Sequence, residues 1–299
     1  MQRPPARRDF VAPEMLEPRT VEEAVTALSR RRAAVPLAGG TDLLPALRRE
    51  LARPHLLVNL KHIPGLAGVR RVRGGVWIGA LTTVAELLCS PLLAARFPVL
   101  VEAARDFGSP QIRTMATLGG NLCSAIPSAD LPLPLLVLDA RLQVTGPEGE
   151  REISVSEFFR GVGKTALGRG EILTAITLPR PPVHSGAAGV RLTGRKAMDL
   201  ATAAAAASIT LKPDGVTGRH VRIALGAVGP TPRRAFLAEA LLEGGPITPD
   251  LIAEASGVAA RECQPITDFR ASAEYRREMI EVLVRRAVTE ACVRAGGVL

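Results

Sequence analysis

The sequence predicts an α+β protein of two parts. Three observations carry that reading. The first 180 residues alternate short apolar strands with short capped helices. The last 120 or so place strands before helices. Between them lies Pro179-Arg180-Pro181-Pro182 followed by His184-Ser185-Gly186, a run that suits a boundary. The expected domains are therefore 1–180 and 181–299. A chain of 299 residues is long enough for two cores. At 47% hydrophobic but only 3% aromatic, those cores must be built mainly from Ala, Val, Leu and Ile.

Taken in order, Thr20-Val21-Glu22-Glu23 reads as a capping box opening a helix that ends near Arg30. Ala33 to Ala38 is a short strand running into a Gly-Gly turn. Leu56–Leu60 and Val76–Ala80 are further strands. Thr83 and Glu86 form a second capping box before a helix that stops ahead of Pro91. A helix over Pro98–Asp106 follows, ended by Phe107 and Gly108. Asp130–Leu138 is apolar and helical at its start. Ala140–Thr145 is a strand closed by Gly-Pro-Glu-Gly. Ser154 and Glu157 cap a short helix, and Ile172–Leu178 is a strand. Beyond the boundary, strands over Ala203–Leu211 and Val221–Val228 flank the turn Pro213-Asp214-Gly215. Helices are expected over 233–243, 249–261 and 273–295. In the last, Tyr275, Met279, Val282, Leu283 and Ala287 recur at helical spacing and read as core.

Net charge is +9, yet the chain has only Lys61, Lys164, Lys196 and Lys212 as lysines, and its arginines are scattered without interleaved aromatics. That argues against a nucleic-acid groove, while leaving room for a basic face on an acidic protein partner. Cys89, Cys123, Cys263 and Cys292 form no CxxC pair, so the sequence holds no zinc knuckle or iron–sulfur run. Arg7-Arg8 with Phe10 imitates a twin-arginine signal, but Glu14, Glu17, Arg19, Glu22 and Glu23 stand where an apolar region should follow. No transmembrane segment is expected, and a cytoplasmic chain with reduced thiols is the default.

The most informative feature is a pair of glycine turns, Ala38-Gly39-Gly40-Thr41-Asp42-Leu43 and Thr117-Leu118-Gly119-Gly120-Asn121-Leu122. Glycine lets backbone N–H groups approach an anion closely, so two such turns suggest a diphosphate held from two sides. Gly161-Val162-Gly163-Lys164-Thr165 resembles the end of a phosphate-binding loop, but Phe158 stands where its first glycine is needed. Gly39-Gly40-Thr41-Asp42 lacks the third glycine of a Rossmann turn. His55, His62, His184 and His220 have no metal-ligand spacing. Asp42 and Asp130 fit either turn-forming Asx hydrogen bonds or recognition of a ribose or amide.

At these loops the sequence resembles a known family. Pro36-Leu37-Ala38-Gly39-Gly40-Thr41-Asp42-Leu43-Leu44 and Gln111-Ile112-Arg113-Thr114-Met115-Ala116-Thr117-Leu118-Gly119-Gly120-Asn121-Leu122, with Pro127-Ser128-Ala129-Asp130-Leu131-Pro132, are similar to the two FAD loops of molybdenum hydroxylase flavoprotein subunits. These are the medium chains of carbon monoxide dehydrogenases and the FAD subunits of bacterial xanthine dehydrogenases. Glu157-Phe158-Phe159 with Gly161 and Lys164-Thr165, Glu171-Ile172-Leu173, Arg195 with Ala197-Met198-Asp199, and Ser272–Arg277 with Arg285-Arg286-Ala287 extend the match over almost the whole chain.

The resemblance implies an FAD domain of the p-cresol methylhydroxylase type, in two α/β subdomains, followed by a small α+β C-terminal domain. It implies non-covalent FAD on the backbone of 38–42 and 118–121, with Thr41 and Thr117 as hydroxyl donors. Phe107 would lie near the flavin, Asp130 near the ribose and Leu173 against the isoalloxazine ring. The implied role is electron transfer: from [2Fe–2S] clusters on a small subunit, fed by a molybdenum cofactor on a large one, to NAD, quinone or oxygen. The assembly would be a dimer of heterotrimers. No side chain of this chain is expected to act as acid or base. Two departures stand out: Val162-Gly163 where the family has Tyr-Arg, and Arg191 where it has Lys.

Overall fold

The computed structural model describes residues 12–195 and 197–298. Arg7, Arg8 and Phe10, which carry the twin-arginine resemblance, lie outside the described residues.

The first unit is a small parallel sheet. It contains β1 (Glu14–Leu16), α1 (Val21–Arg30), β2 (Ala34–Leu37), α2 (Leu43–Arg48) and β3 (Leu56–Asn59), with strand order β1-β3-β2. Both pairings are parallel, and α1 closes one face with Ala24, Val25 and Leu28 on Leu56 and Val58. Thr20 caps α1 by accepting from the Glu23 N–H, but Glu23 reaches back to the Arg19 N–H and not to that of Thr20. Because β2 is parallel, the chain leaves its carboxyl end through Gly39-Gly40 into α2. That strand end is where open α/β sheets present ligands.

The second unit surrounds a mixed helical layer with an antiparallel sheet. Its elements are β4 (Val69–Val72), β5 (Gly75–Gly79), α3 (Val84–Cys89), α4 (Pro91–Arg96), α5 (Pro98–Asp106), α6 (Pro110–Arg113), α7 (Leu118–Cys123), α8 (Pro132–Val137), β6 (Arg141–Gly146), β7 (Gly149–Ser154), α9 (Val155–Phe158), β8 (Phe159–Gly161), β9 (Lys164–Thr165) and β10 (Ile172–Pro179). The sheet order is β4-β5-β10-β6-β7. The Thr83/Glu86 capping box that starts α3 is complete. Leu87, Leu93, Phe97, Leu100, Leu118, Leu136 and Phe158 fill the core beneath the sheet.

The third unit holds β11 (Ser185–Leu192), β12 (Ala203–Leu211), β13 (Gly218–Gly226), β14 (Arg233–Arg234), α10 (Phe236–Leu242), α11 (Pro249–Arg261) and α12 (Ala273–Arg294). The strands form one antiparallel sheet in that order. The alanine run of β12 is informative. Ala203, Ala205, Ala207, Ile209 and Leu211 enter the core beneath α12, whereas Ala204 and Ala206 enter the core of the second unit. A period of two sends small side chains to both faces, so helices can close on the strand from either side. The second unit's α8 packs on β12 and β13, and its α5 packs on β11.

Three expectations need correction. Ser185 and Gly186 belong to β11, not to a linker. A Cβ at Gly186 would stand 2.2 Å from the Ala291 carbonyl oxygen, so glycine there admits α12. Residues 233–234 are strand, and the helix starts only at Phe236. Along α12 the core line is Ile280, Leu283, Val284, Ala287, Val288 and Ala291, whereas Tyr275 is exposed. The neighbouring Arg276 is buried instead, donating to the Thr202 and Ala227 carbonyls and pairing with Asp268 at 2.7 Å.

Gly257 lies inside α11 with only the Arg261 guanidinium, at 3.7 Å, near its missing Cβ. Gly257→Ala is expected to raise stability by about 0.5–1 kcal/mol, read as a higher denaturation midpoint, because alanine restricts the unfolded chain and favours helix.

Candidate functional site

The first glycine turn follows β2. Pro36 is exposed, Leu37 is buried, and Ala38–Thr41 are half-buried. Gly40 has φ +74, a conformation side chains disfavour. Leu44 and Ala46 donate back to the Gly40 and Asp42 carbonyls, which starts α2. The N–H groups of Gly39, Gly40, Thr41, Asp42 and Leu43 donate to no protein acceptor among the described residues. Five successive amides without protein acceptors leave a run of free donors, which suits an anion.

The second turn differs. Thr117 is the N-cap of α7, accepting from the Gly120 N–H at 3.0 Å. Leu118 N–H donates to the Thr82 carbonyl, Gly119 N–H to that of Ala80, and Asn121 N–H to that of Thr117. All four amides expected to face a pyrophosphate are therefore spent inside the protein. A Cβ on Gly119 would stand 2.7 Å from the Ala80 carbonyl oxygen, so this glycine serves close packing of α7 on the end of β5. A Cβ on Gly120 would meet Thr117 Oγ1 at 2.8 Å and the Ala38 Cβ at 3.8 Å. That is the face turned toward the first loop.

The two turns thus meet. A Cβ on Gly39 would stand 1.9 Å from the Met115 carbonyl oxygen, so the first loop lies directly on the backbone leading into the second. Ser124 Oγ donates to Asp42 Oδ2 at 2.6 Å and ties the end of α7 to the start of α2. The Asp42 side chain makes no capping bond of its own. Ser124→Ala should cost about 1 kcal/mol in stability and loosen the junction, measurable as a few-fold faster loss of ligand from the loops.

Asn121 adds the second kind of recognition. It is 9% exposed, and its Oδ1 is buried without a hydrogen-bond partner. An unpaired buried amide is costly unless a ligand satisfies it. Free loop amides, an orphaned side-chain amide and a Thr117 hydroxyl with its proton still to donate together fit a nucleotide diphosphate. FAD is such a group.

The remaining expected residues fall in two places. Phe107 ends α5 and packs partly against the core. Arg113 donates to the Arg105 and Phe107 carbonyls, joining Phe107 to the segment that supports Gly39. Leu173 is 5% exposed and belongs to the same core, beside the irregularity where β10 shifts register against β6. Asp130 forms no Asx turn. It meets Arg191, whose Nη1 is 3.0 Å from Asp130 Oδ1 and whose Nη2 donates to the Asp106 carbonyl at 2.8 Å. Burial pushes the Asp130 carboxyl up to about 6, with Arg191 pulling it down and Asp106 adding to the rise. The Ala227 N–H also donates to the Pro127 carbonyl. The C-terminal unit therefore grips the tail of the second loop twice. Val162 is 63% exposed on the β8–β9 hairpin, and the Gly163 N–H donates to the Ala125 carbonyl at the end of α7.

Ser124 and Arg276 were not singled out from the sequence. Ser124 carries no motif signal. Arg276 lies within a stretch that matched the family, but a buried arginine on a helix leaves no mark in the pattern.

The free amides of one glycine turn, set against a closely packed second turn and outside any Rossmann or phosphate-loop scheme, fit a nucleotide-cofactor protein of a separate class. Comparison with known proteins specifies it. Residues 10–181 match the FAD binding domain in molybdopterin dehydrogenase, and residues 189–291 match the CO dehydrogenase flavoprotein C-terminal domain. The chain is 38% identical over 281 residues to the carbon monoxide dehydrogenase medium chain of Afipia carboxidovorans, covering 93% of this chain and 96% of that one. It is 33% identical over 282 residues to a xanthine dehydrogenase FAD-binding subunit of Escherichia coli, covering 94% and 96%. Its fold matches the carbon monoxide dehydrogenase of Hydrogenophaga pseudoflava with a TM-score of 0.92 at 35% identity, over 96% of this chain and 99% of that one. The chain belongs to the FAD-binding subunit family of molybdopterin dehydrogenases. It is an α+β oxidoreductase subunit with an FAD-binding part followed by a C-terminal part of the CO dehydrogenase flavoprotein type. Among the described residues no helix is long and apolar enough to cross a membrane.

Proposed function

We propose that this chain is the FAD-carrying electron-transfer subunit of a molybdenum hydroxylase complex. The observation that carries the proposal is the row of five acceptor-free amides at 39–43, set against Gly120 and the unpaired Asn121 amide. When bound, FAD supplies the redox chemistry, taking electrons from [2Fe–2S] clusters on a partner and yielding them to NAD, quinone or oxygen.

The chain's own residues bind and orient. The Gly39–Leu43 amides and the Thr41 and Thr117 hydroxyls hold the diphosphate. Pro36, Leu37 and Ala38 wall it, while Leu118 and Gly119 fix the second loop from behind. Asn121 pairs with a polar edge of the cofactor. Asp130 stands by the ribose, Phe107 and Leu173 border the ring system, and Arg191 holds Asp130 in place. The domains are 1–180 for FAD binding and 181–299 for the C-terminal part.

Attachment is non-covalent. Cys123 follows the second loop, but burial pushes its thiol up to about 12, which disfavours the thiolate a covalent tether needs. Acid precipitation should therefore leave the flavin in the supernatant.

The partners are a small [2Fe–2S] subunit and a large molybdenum-cofactor subunit, arranged as a dimer of heterotrimers in the cytoplasm. Similar chains bear the names of a medium chain of carbon monoxide dehydrogenase and an FAD-binding subunit of xanthine dehydrogenase, and such subunit names support a substrate chosen on another chain. Purification from the native host tests this reading. Co-elution with iron, acid-labile sulfide and molybdenum is expected. Elution as a lone flavoprotein that oxidises its own substrate would favour a free-standing flavin enzyme instead.

A further inference from the structure

A groove of about 680 Å³ runs between the second and third units, on residues separate from those assigned to the flavin. Its walls carry Arg96 at the end of α4, Arg180 on the connecting segment, Arg222 and His220 on β13, and Arg294 on α12. The one acidic residue in the lining is Asp139.

The charges are not balanced evenly. Every ion pair between the first 180 residues and the C-terminal unit among the described residues takes its arginine from the C-terminal unit. Arg191 meets Asp106 and Asp130, Arg222 and Arg234 share Asp139, and Arg294 meets Glu102. These pairs join the two units, and within the groove they engage its one carboxylate, Asp139, along with Arg222 and Arg294. Arg96 and Arg180, elsewhere in the lining, pair with no carboxylate among the described residues. The Arg180 N–H donates to the Gly74 carbonyl at 2.7 Å, which sets the groove mouth beside the β4–β5 hairpin and its exposed Arg71 and Arg73. Pro98, Pro179, Pro181 and Pro182 stiffen the rim.

We propose that this groove is the docking site for an acidic polypeptide segment of a partner subunit. The groove opens beside an arginine-bearing hairpin, so Arg71 and Arg73 extend its basic surface beyond Arg96 and Arg180. An extended chain with carboxylates at intervals matches that distribution better than a single compact anion. Arginine is also the side chain suited to carboxylate pairing.

The test uses the full-length chain and a labelled octaglutamate peptide at physiological salt, with tripolyphosphate as a second probe. Arg96→Glu/Arg180→Glu should weaken peptide binding by at least about tenfold. Arg277→Glu/Arg286→Glu, on the exposed side of α12, makes the same change in net charge and should alter it by less than about threefold. Arg96→Gln/Arg180→Gln supplies a milder version, and both sets should melt like the parent because neither removes an ion pair. Equal losses in the two reversal variants would reduce the effect to bulk charge and overturn the proposal. Tighter binding of tripolyphosphate than of the peptide, with the same sensitivity to Arg96 and Arg180, would make the occupant a small phosphorylated anion and overturn it as well. Flavin content should be unchanged throughout, so the result is independent of the flavin assignment.

Discussion

Gly39→Ala is expected to strip flavin from the chain. Its new Cβ would stand 1.9 Å from the Met115 carbonyl oxygen and 3.1 Å from the Ala116 Cα. Both neighbours are backbone, so no side chain can rotate away. The loop must lift from the segment that supports it. Forced overpacking of this kind costs about 1–3 kcal/mol. Spent on the loop junction, that is about fivefold to 150-fold in FAD affinity. The effect should exceed that of Gly245→Ala, whose Cβ would meet only Leu251 at 3.8 Å. Equilibrium titration of the apoprotein with FAD reads the difference, and parental affinity in Gly39→Ala would remove the first loop from the site. Gly119→Val should also lose flavin, by pushing α7 off Ala80 and so displacing the loop.

The second large effect is expected at Arg191. Arg191→Met leaves the Asp130 carboxylate without its counter-charge, with side chains in the parent pair only 15% and 16% exposed. Removing one partner of a buried pair is costly because the other charge stays behind. At about pH 8 the loss should be about 2 kcal/mol, together with faster flavin release as the Pro127–Asp130 tail loosens. The pH dependence has a definite sign. The folded-state pKa of Asp130, about 6, lies above its ordinary value. The native state therefore holds that proton more tightly, so the group's contribution is fully present below about pH 4 and fades as pH rises through about 6. Without Arg191 the carboxyl should rise further. The gap between variant and parent should then be small at about pH 5 and widen above pH 6. Melting temperatures across that range check it, and a gap that does not vary with pH would mean that Arg191 acts through packing alone.

The glycine turns were legible because a backbone that bends sharply beside an apolar strand needs glycine, and the sequence states where. What each turn does was not legible. Gly119 and Gly120 look like Gly39 and Gly40, yet the amides around the second pair bond to Thr82, Ala80 and Thr117. Those acceptors are fixed by tertiary contacts. The same limit hid the Asp130–Arg191 pair, which spans 61 residues, and the Ser124–Asp42 bond, which spans 82. Strands built on apolar runs, such as β3, β5 and β10, were readable, whereas β4, with two arginines between its valines, was not. β1 was not, because its three residues are all exposed, and neither was β11, because Ser-Gly-Ala-Ala-Gly reads as a turn. The alanine strand β12 was recognised against its helical propensity by the polar turn after it. Its division between two cores became visible only with the helices in place.

The central claim is that the two loops hold FAD without a covalent bond. Its most direct measurement is the flavin released by acid from the purified, FAD-reconstituted chain, quantified against protein. The account predicts one FAD per chain, recovered in the supernatant and intact as the dinucleotide. Flavin retained in the pellet, or no flavin bound after reconstitution, would contradict it.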